Sequence, residues 1–243
     1  LILSDELIAT VISNTDGTRR IVRFDGPFQQ FMNAHGQMPL PPYIHERLLD
    51  QTRYQTIYAD PNRTGSAAAP TAGLHFTPEL IDRLENQGVN FADVTLHVGL
   101  DTFQPVSEED PETHVIHKEW CEVDNNAVSA ILSAKRAGKR VISVGTTSAR
   151  TLESAGAAAL RSGSADAVLP FHGDTGIFIL PGYQFTVVDA MITNFHLPKS
   201  TLIMMMSAFV GREKILALYD LAIREEYRFF SFGDAMLRLS LRA

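Results

Sequence analysis

The sequence predicts an α/β protein. The expected form is a mainly parallel sheet with flanking helices, distorted and barrel-like, together with the remnant of a small antiparallel β domain. Three observations carry this expectation. Strand-like and helix-like segments alternate from Thr77 onward, the pattern of helical crossovers between parallel strands. Apolar residues make up 45% and charged residues 20% of the 243 residues, enough to bury a sizeable core. A hairpin signal, Asp16-Gly17 between two alternating apolar runs, stands apart at the start.

Taken in order, Ile8, Thr10 and Ile12 alternate before that turn, and Ile21, Val22 and Phe24 resume after it. Residues 7–24 are therefore expected as two strands. Two strands alone are marginal in water, and the chain opens on Leu1 rather than Met. The hairpin is expected to be the tail of a larger β unit whose earlier strands are absent. Phe28–Asn33 is a short helix candidate, and this β remnant is assigned residues 1–36. A larger α/β domain is assigned residues 37–243. It begins with Met38–Tyr43, whose consecutive prolines exclude helix and central strand.

Thr77 is an N-cap candidate with Pro78 at the first helical position, and Gly88 ends that helix. A strand is expected over residues 90–98. A second helix should start from an Asp124 cap and stop at Gly138, followed by a strand at 140–144 and a third helix near Thr147. Further strands are expected at 176–180 and 185–192, then helices near 200–210 and 212–227. No apolar run approaches the roughly 20 residues that span a bilayer.

The formal charge of −7 excludes a globally basic nucleic-acid coat but not a local patch. Arg19, Arg20, Arg47, Arg53, Arg63, Lys135, Arg136, Lys139 and Arg140 are the candidates for phosphate contact. The single cysteine, Cys121, excludes an intrachain disulfide and fits a reducing compartment.

Ligands of parallel α/β sheets gather at the carboxyl ends of strands. That rule selects four segments: Ala69–Thr77, Thr95–Gly99, Val144–Arg150 and Thr193–Pro198. In the third, Gly145 allows a tight turn, and Thr146, Thr147 and Ser148 offer hydroxyls at a helix N-terminus suited to an anion. Arg150 could grip a carboxylate or phosphate; the competing reading is plain N-capping by Thr147 or Ser148. His75, His97 and His196 stand at the predicted sheet ends, where an imidazole can carry protons near neutral pH. The alternative for each is a structural, hydrogen-bonded histidine. The His114-Val-Ile-His117-Lys-Glu119 run invites a metal reading, but its spacing is not that of a zinc helix. Asp234 could be a base or a cap, and the aromatic run around it reads as core.

Eight stretches together resemble one family: MPLPPYI (38–44), RYQTIYA (53–59), AAPTAGLHFT (68–77), VTLHVG (94–99), HVIHKEW (114–120), VGTTSARTLES (144–154), PGYQF with VVDAMITNFHLPKSTL (181–202), and YRFFSFGDAM (227–236). They resemble the S-adenosylmethionine:tRNA ribosyltransferase-isomerases of queuosine biosynthesis, in the family's order. The resemblance covers the C-terminal two thirds of a usual member. It implies transfer and isomerisation of the ribosyl part of S-adenosylmethionine onto 7-aminomethyl-7-deazaguanine at the tRNA wobble position. The product is epoxyqueuosine, with adenine and methionine released.

The resemblance also implies that no cofactor or metal is needed, that S-adenosylmethionine and tRNA are the partners, and that the protein acts in the cytoplasm without a membrane. A monomer is expected. The proton transfers fall to His75, His97 and His196, with His117 and Glu119 as second choices. Thr146, Thr147, Ser148 and Arg150, with Gly145, are the expected seat of the methionine carboxylate or a tRNA phosphate. Thr71 and Gly73 are expected beside the substrate, Asn194 at the ribose hydroxyls, and Tyr54 or Phe76 stacked on a base. Two positions depart from the usual motifs. Asp101 replaces a glycine of Gly-Ala-Gly-Thr-Phe, and Gly176 replaces an aspartate of Asp-Thr-Asp-Ile-Phe. A metal-dependent hydrolase and a non-catalytic tRNA-binding remnant are the competing functions.

Overall fold

The computed structural model describes residues 1–4, 7–14, 20–41, 43–99, 116 and 118–239. The chain divides into two compact units, Leu1–Pro39 and Leu40–Ala243.

The first unit is a three-stranded antiparallel sheet, β1 (Ile2–Ser4), β2 (Leu7–Asn14) and β3 (Arg20–Asp25), in that spatial order, followed by helix α1 (Phe28–His35). Along β2 the alternation is visible as burial: Leu7 and Ala9 are buried while Ile8 is exposed. Ala9 pairs with Phe24 and Val11 with Val22, with a register shift before Ser13. Phe24 stacks on Phe28 at 4.0 Å, which fixes the start of α1. The Asp16-Gly17 turn lies outside the described residues.

In the second unit the helices begin where local chemistry dictates. Thr77 caps α2 (Pro78–Glu85), its hydroxyl accepting from the Leu80 N–H at 3.2 Å. Asp124 caps α3 (Asn125–Arg136) through the Ala127 N–H at 2.8 Å. Ser200 caps α5 (Thr201–Val210), and Gly211 separates it from α6 (Arg212–Arg224). The longest helix, α4 (Thr146–Arg161), is largely buried.

The strands correct the expectation of a mainly parallel, barrel-like sheet. Among the described residues of this unit they form two separate three-stranded sheets. One contains β4 (Thr95–His97), β5 (Glu119–Val123) and β7 (Phe171–Thr175), all antiparallel. The other contains β6 (Ile142–Val144), β8 (Ala190–Asn194) and β9 (Ala235–Leu239). There β6 and β8 run parallel, the only parallel pair among the described residues, and β9 is antiparallel to β8. No closed barrel forms among the described residues. The physical reason is where the helical connections lead. Helix α3 carries the chain from β5 in one sheet to β6 in the other, and α4 carries it back to β7. Each crossing changes sheet instead of adding a parallel neighbour. Helix α4 packs on strands of both sheets, and its buried Ala149, Leu152, Ala155 and Ala159 join a core with Val187, Met191, Met206 and Phe209.

Two predicted strands shift. Residues 176–180 pair with nothing in a ladder, and the strand instead occupies Phe171–Thr175. Of residues 185–192 only 190–192 enter a sheet, in the strand Ala190–Asn194. The segment before it is held by a side chain. Glu153 of α4 is fully buried. Its Oε1 accepts from the Val187 and Val188 N–H groups at 3.0 and 2.9 Å. Its Oε2 accepts from the Thr186 N–H at 2.9 Å and from the Thr186 and Tyr183 hydroxyls, each at 3.1 Å. Close approach is possible because the next turn of α4 carries Gly156, where a Cβ would sit 2.6 Å from Thr186 Oγ1.

Glu153→Gln preserves size but turns an NH2 toward N–H donors. Stranding buried donors costs about 1–3 kcal/mol each, so a loss of about 3 kcal/mol is expected in urea denaturation. A loss below about 1 kcal/mol would contradict the clamp.

Candidate active site

The parallel pair sets the site. Val144 pairs with Ile192 near the carboxyl ends of β6 and β8. The Gly145 N–H then donates to the Ile192 carbonyl at 2.8 Å. Gly145 adopts φ 93°, a left-handed conformation natural to glycine, and α4 starts at the next residue. The cap position is Gly145 itself, and no side chain caps the helix. Capping by Thr147 or Ser148 is therefore not what these residues do here. Gly145, Thr146 and Thr147 line a cleft, so the positive end of the α4 dipole opens into it.

The cleft gathers Thr71, Gly145, Thr146, Thr147, Asn194 and His196 from three separate predicted segments. Ser200 and Leu202, from the start of α5, also line it. A second helix N-terminus thus meets the first.

The side chains at the end of β8 are ordered by a hydrogen-bond chain. The Thr71 hydroxyl donates to Asn194 Oδ1 at 3.0 Å, which turns Asn194 Nδ2 toward His75 Nε2 at 3.4 Å. His75 ends a 3-10 turn, Thr71–His75, and is exposed. It reaches the cleft through Asn194 instead of lining it. His196 is buried, with Nε2 3.0 Å from Thr193 Oγ1 and its backbone N–H donating to the Tyr219 hydroxyl at 2.7 Å. Burial pushes this imidazole down to about 4, so it is neutral at pH 7. Burial also pushes the Tyr219 phenol up to about 12.

Other candidate residues lie away from the cleft. Val98 lines the cleft, and His97, one residue earlier, faces the other way, as alternation along an extended strand requires. Its ring lies 5.0 Å from that of Trp120. The three imidazoles therefore do not share one cavity. Arg150 does not line the cleft either. One turn into α4, where the helix packs on β5, its Nη1 donates to Glu119 Oε2 at 2.8 Å. Glu119 Oε1 accepts from the Gly99 N–H at 2.9 Å. The two side chains are 9% and 10% exposed and form a largely buried ion pair, while Arg150 Nε and Nη2 are buried with no hydrogen-bond partner among the described residues. Ser148 does not line the cleft.

Gly73 sits where a Cβ would meet the Tyr58 hydroxyl at 2.0 Å, a packing requirement. Tyr54 and Phe76 are buried, against Phe232 and Phe91 respectively, and neither ring lines the cleft. His114, His117 and Asp101 lie outside the described residues. Among the described residues, no group of three or more His, Cys, Asp or Glu side chains is arranged to hold a metal, and no helix is long and apolar enough to cross a membrane. Tyr43, Phe230 and Ser231 line the cleft unforeseen. Their stretches were visible as motifs, but an aromatic run carries no local mark of a cleft wall.

A family model described as queuosine biosynthesis protein matches residues 1–238. The chain belongs to the queuosine biosynthesis protein family. It is 54% identical over 234 residues to the S-adenosylmethionine:tRNA ribosyltransferase-isomerase of Caldanaerobacter subterraneus, a match covering 96% of this chain and 66% of that protein. It is 55% identical over 220 residues to the protein of the same name from Carboxydothermus hydrogenoformans, covering 90% of this chain and 62% of that one. A crystal structure of the S-adenosylmethionine tRNA ribosyltransferase of Thermotoga maritima aligns with TM-score 0.55 at 32% identity, covering 97% of this chain and 63% of that chain. This queuosine biosynthesis family member thus spans a little under two thirds of the length of these relatives.

The buried His196 of this family member makes a pH prediction. The unfolded imidazole takes up its proton near 6.5 and the folded one only near 4. The unfolded state therefore binds more protons between these values, and stability falls as pH drops from about 6.5 to about 4. The loss attributable to this residue is on the order of 2–3 kcal/mol. Urea unfolding of His196→Asn at pH 7 and pH 4.5 should show a correspondingly smaller pH difference than the parent chain; an unchanged difference would remove His196 as the cause.

Proposed function

We propose that this chain carries the reaction centre of a tRNA-modifying transferase. It would move and isomerise the ribosyl part of S-adenosylmethionine onto 7-aminomethyl-7-deazaguanine at the tRNA wobble position, releasing adenine and methionine. The observation that carries this reading is the convergence of Thr71, Gly145–Thr147 and Asn194–His196 on one cleft. They meet at the carboxyl ends of the parallel pair, where α/β sheets bind ligands. The names of the relatives supply the substrate class.

The chemistry needs three things. The sulfonium acidifies the ribose C5′ hydrogen, which a base must remove. The adenine leaves more readily when protonated. The incoming tRNA amine must be neutral to attack. In this reading the methionine carboxylate sits on the N–H groups and hydroxyls of Thr146 and Thr147. The uncapped helix end stabilises its charge there. His75, exposed and therefore in exchange with water, carries protons. Thr71 and Asn194 hold its ring, and Asn194 presents its amide to the sugar. His196, neutral at pH 7, serves as a hydrogen-bonding group inside the cleft and not as a cationic acid. S-adenosylmethionine is the substrate, and no further cofactor enters a step.

The tRNA phosphates are assigned to a local patch. Arg63, Lys135 and Arg136 are already paired with acidic side chains. Arg47, Arg53, Lys139 and Arg140 are exposed and are the contacts we assign. With tRNA as substrate, the cytoplasm is the place of action. The sheet of the first unit is read as part of a small β domain.

The test is adenine release from S-adenosylmethionine in the presence of precursor-bearing tRNA. Release should require both substrates and survive a chelator. His75→Ala should slow it by about 100-fold or more and His196→Ala, which removes a hydrogen-bonding group from the cleft, by about 10-fold or more, while His97→Ala, altered on the far side of the strand, should stay within a few-fold. Near-parental rates in both His75→Ala and His196→Ala would refute the assignment. Loss on chelation would favour a metal-dependent hydrolase. Tight tRNA binding without release would favour a binding remnant.

A further inference from the structure

Among the described residues, three other than glycine have positive φ: Lys199 (56°), Glu226 (57°) and Phe230 (71°). Glu226 needs no special account. It follows α6, and the Glu226 and Tyr227 N–H groups close that helix end on the Ile223 and Ala222 carbonyls. Phe230 is different. A bulky side chain at positive φ is strained, and such strain concentrates where surrounding structure enforces it for a purpose. Here both ends of the residue are pinned. The Phe230 N–H donates to the Phe195 carbonyl at 3.0 Å, and the Phe230 carbonyl accepts from the Gly233 N–H at 3.0 Å.

The strained kink separates two adjacent rings. Phe229 turns into the core, 4.9 Å from Phe195 and 5.7 Å from Tyr219. Phe230 turns into the cleft wall, where its ring lies 5.1 Å from that of Tyr43. Tyr43 is fixed in turn, because its hydroxyl shares a hydrogen bond with the buried Ser231. The half-buried pair therefore presents an ordered aromatic wall in the same cleft that receives the α4 N-terminus. One cleft thus offers a partially positive helix end and two aromatic rings inclined at 49° to each other.

We infer that the Tyr43–Phe230 wall seats the adenine ring of S-adenosylmethionine, a purine-stacking subsite distinct from the carboxylate seat at α4. This rests on the function proposed above. A purine has a flat π-face that stacks on aromatic side chains. The amino-acid end of the same ligand carries the carboxylate that the helix terminus attracts. The deazaguanine base of tRNA shares the flat-ring chemistry, so the test must separate the two.

The test uses the full chain and two ligands that differ only by the purine, S-adenosylhomocysteine and S-ribosylhomocysteine, titrated calorimetrically. The parent chain should bind the adenosyl ligand about 10-fold or more tighter. Phe230→Leu and Tyr43→Leu should weaken the adenosyl ligand by about 10-fold and change the ribosyl ligand less than about 2-fold. Phe230→Tyr, which keeps a ring, should retain the preference and control for folding. If both ligands weaken equally, or neither weakens, the purine subsite is overturned while the wider function stands. If the variants keep the adenosyl affinity and lose only affinity for precursor-bearing tRNA, the wall belongs to the RNA base and the inference is overturned. If the parent chain binds neither small ligand, the proposed function falls with it.

Discussion

A single buried carboxylate organises the second unit. Glu153 has no cationic partner among its hydrogen bonds; three backbone N–H groups and two hydroxyls satisfy it. Hydrogen bonds to an ionised acceptor are stronger than neutral ones, and five of them fasten residues 183–188 to α4. That segment runs directly into β8. The next residue, Asp189, continues the restraint: its Oδ2 accepts from the Val141 N–H at 2.9 Å and lies 3.6 Å from Lys135 Nζ. The start of β6 is thereby tied to the start of β8. Once those two strands lie parallel and in register, their carboxyl ends and the loops that follow must open on the same side.

What opens there is a cleft with unlike walls. The α4 end offers uncapped N–H groups, because Gly145 occupies the cap position and has no side chain to spend on it. The β8 end offers a hydrogen-bond chain from Thr71 through Asn194 to His75, and a neutral imidazole at His196. The loop before β9 and the segment after the prolines supply aromatic rings. A zwitterionic nucleoside ligand has matching parts. The two histidines near the cleft divide by solvent access: one is open to exchange with water, the other is kept uncharged by burial. In the proposed function the first carries protons and the second only hydrogen-bonds.

The features that could be read directly from the sequence are local ones. Thr77 and Asp124 cap the helices they were expected to cap, since capping depends on residues three positions apart. The segments after β6 and β8 reach the cleft because strand-end loops can be recognised one at a time. Strand direction could not be read this way. β6 and β8 are joined through Val141 and Asp189, 48 residues apart, and nothing within either strand states its partner. Tyr43 and Ser231 meet across 188 residues, so the aromatic wall was invisible for the same reason. Glu153 resembles any solvated glutamate of a helix until the loop it holds is in place. His97 was legible in principle: Leu96 and Val98 flank it with the strand period of two, which places its ring on the opposite face. Arg150 meets Glu119 from within the protein across 31 residues, a pairing that nothing local to either residue announces.

The most direct measurement is a crystal structure of this chain with S-adenosylmethionine or a non-reactive analogue. The account predicts ligand density in the cleft between Gly145–Thr147 and Asn194–His196, with the amino-acid carboxylate on the N–H groups opening α4. Ligand bound instead on the far face of β4 and β5, beside His97 and Trp120, would contradict it.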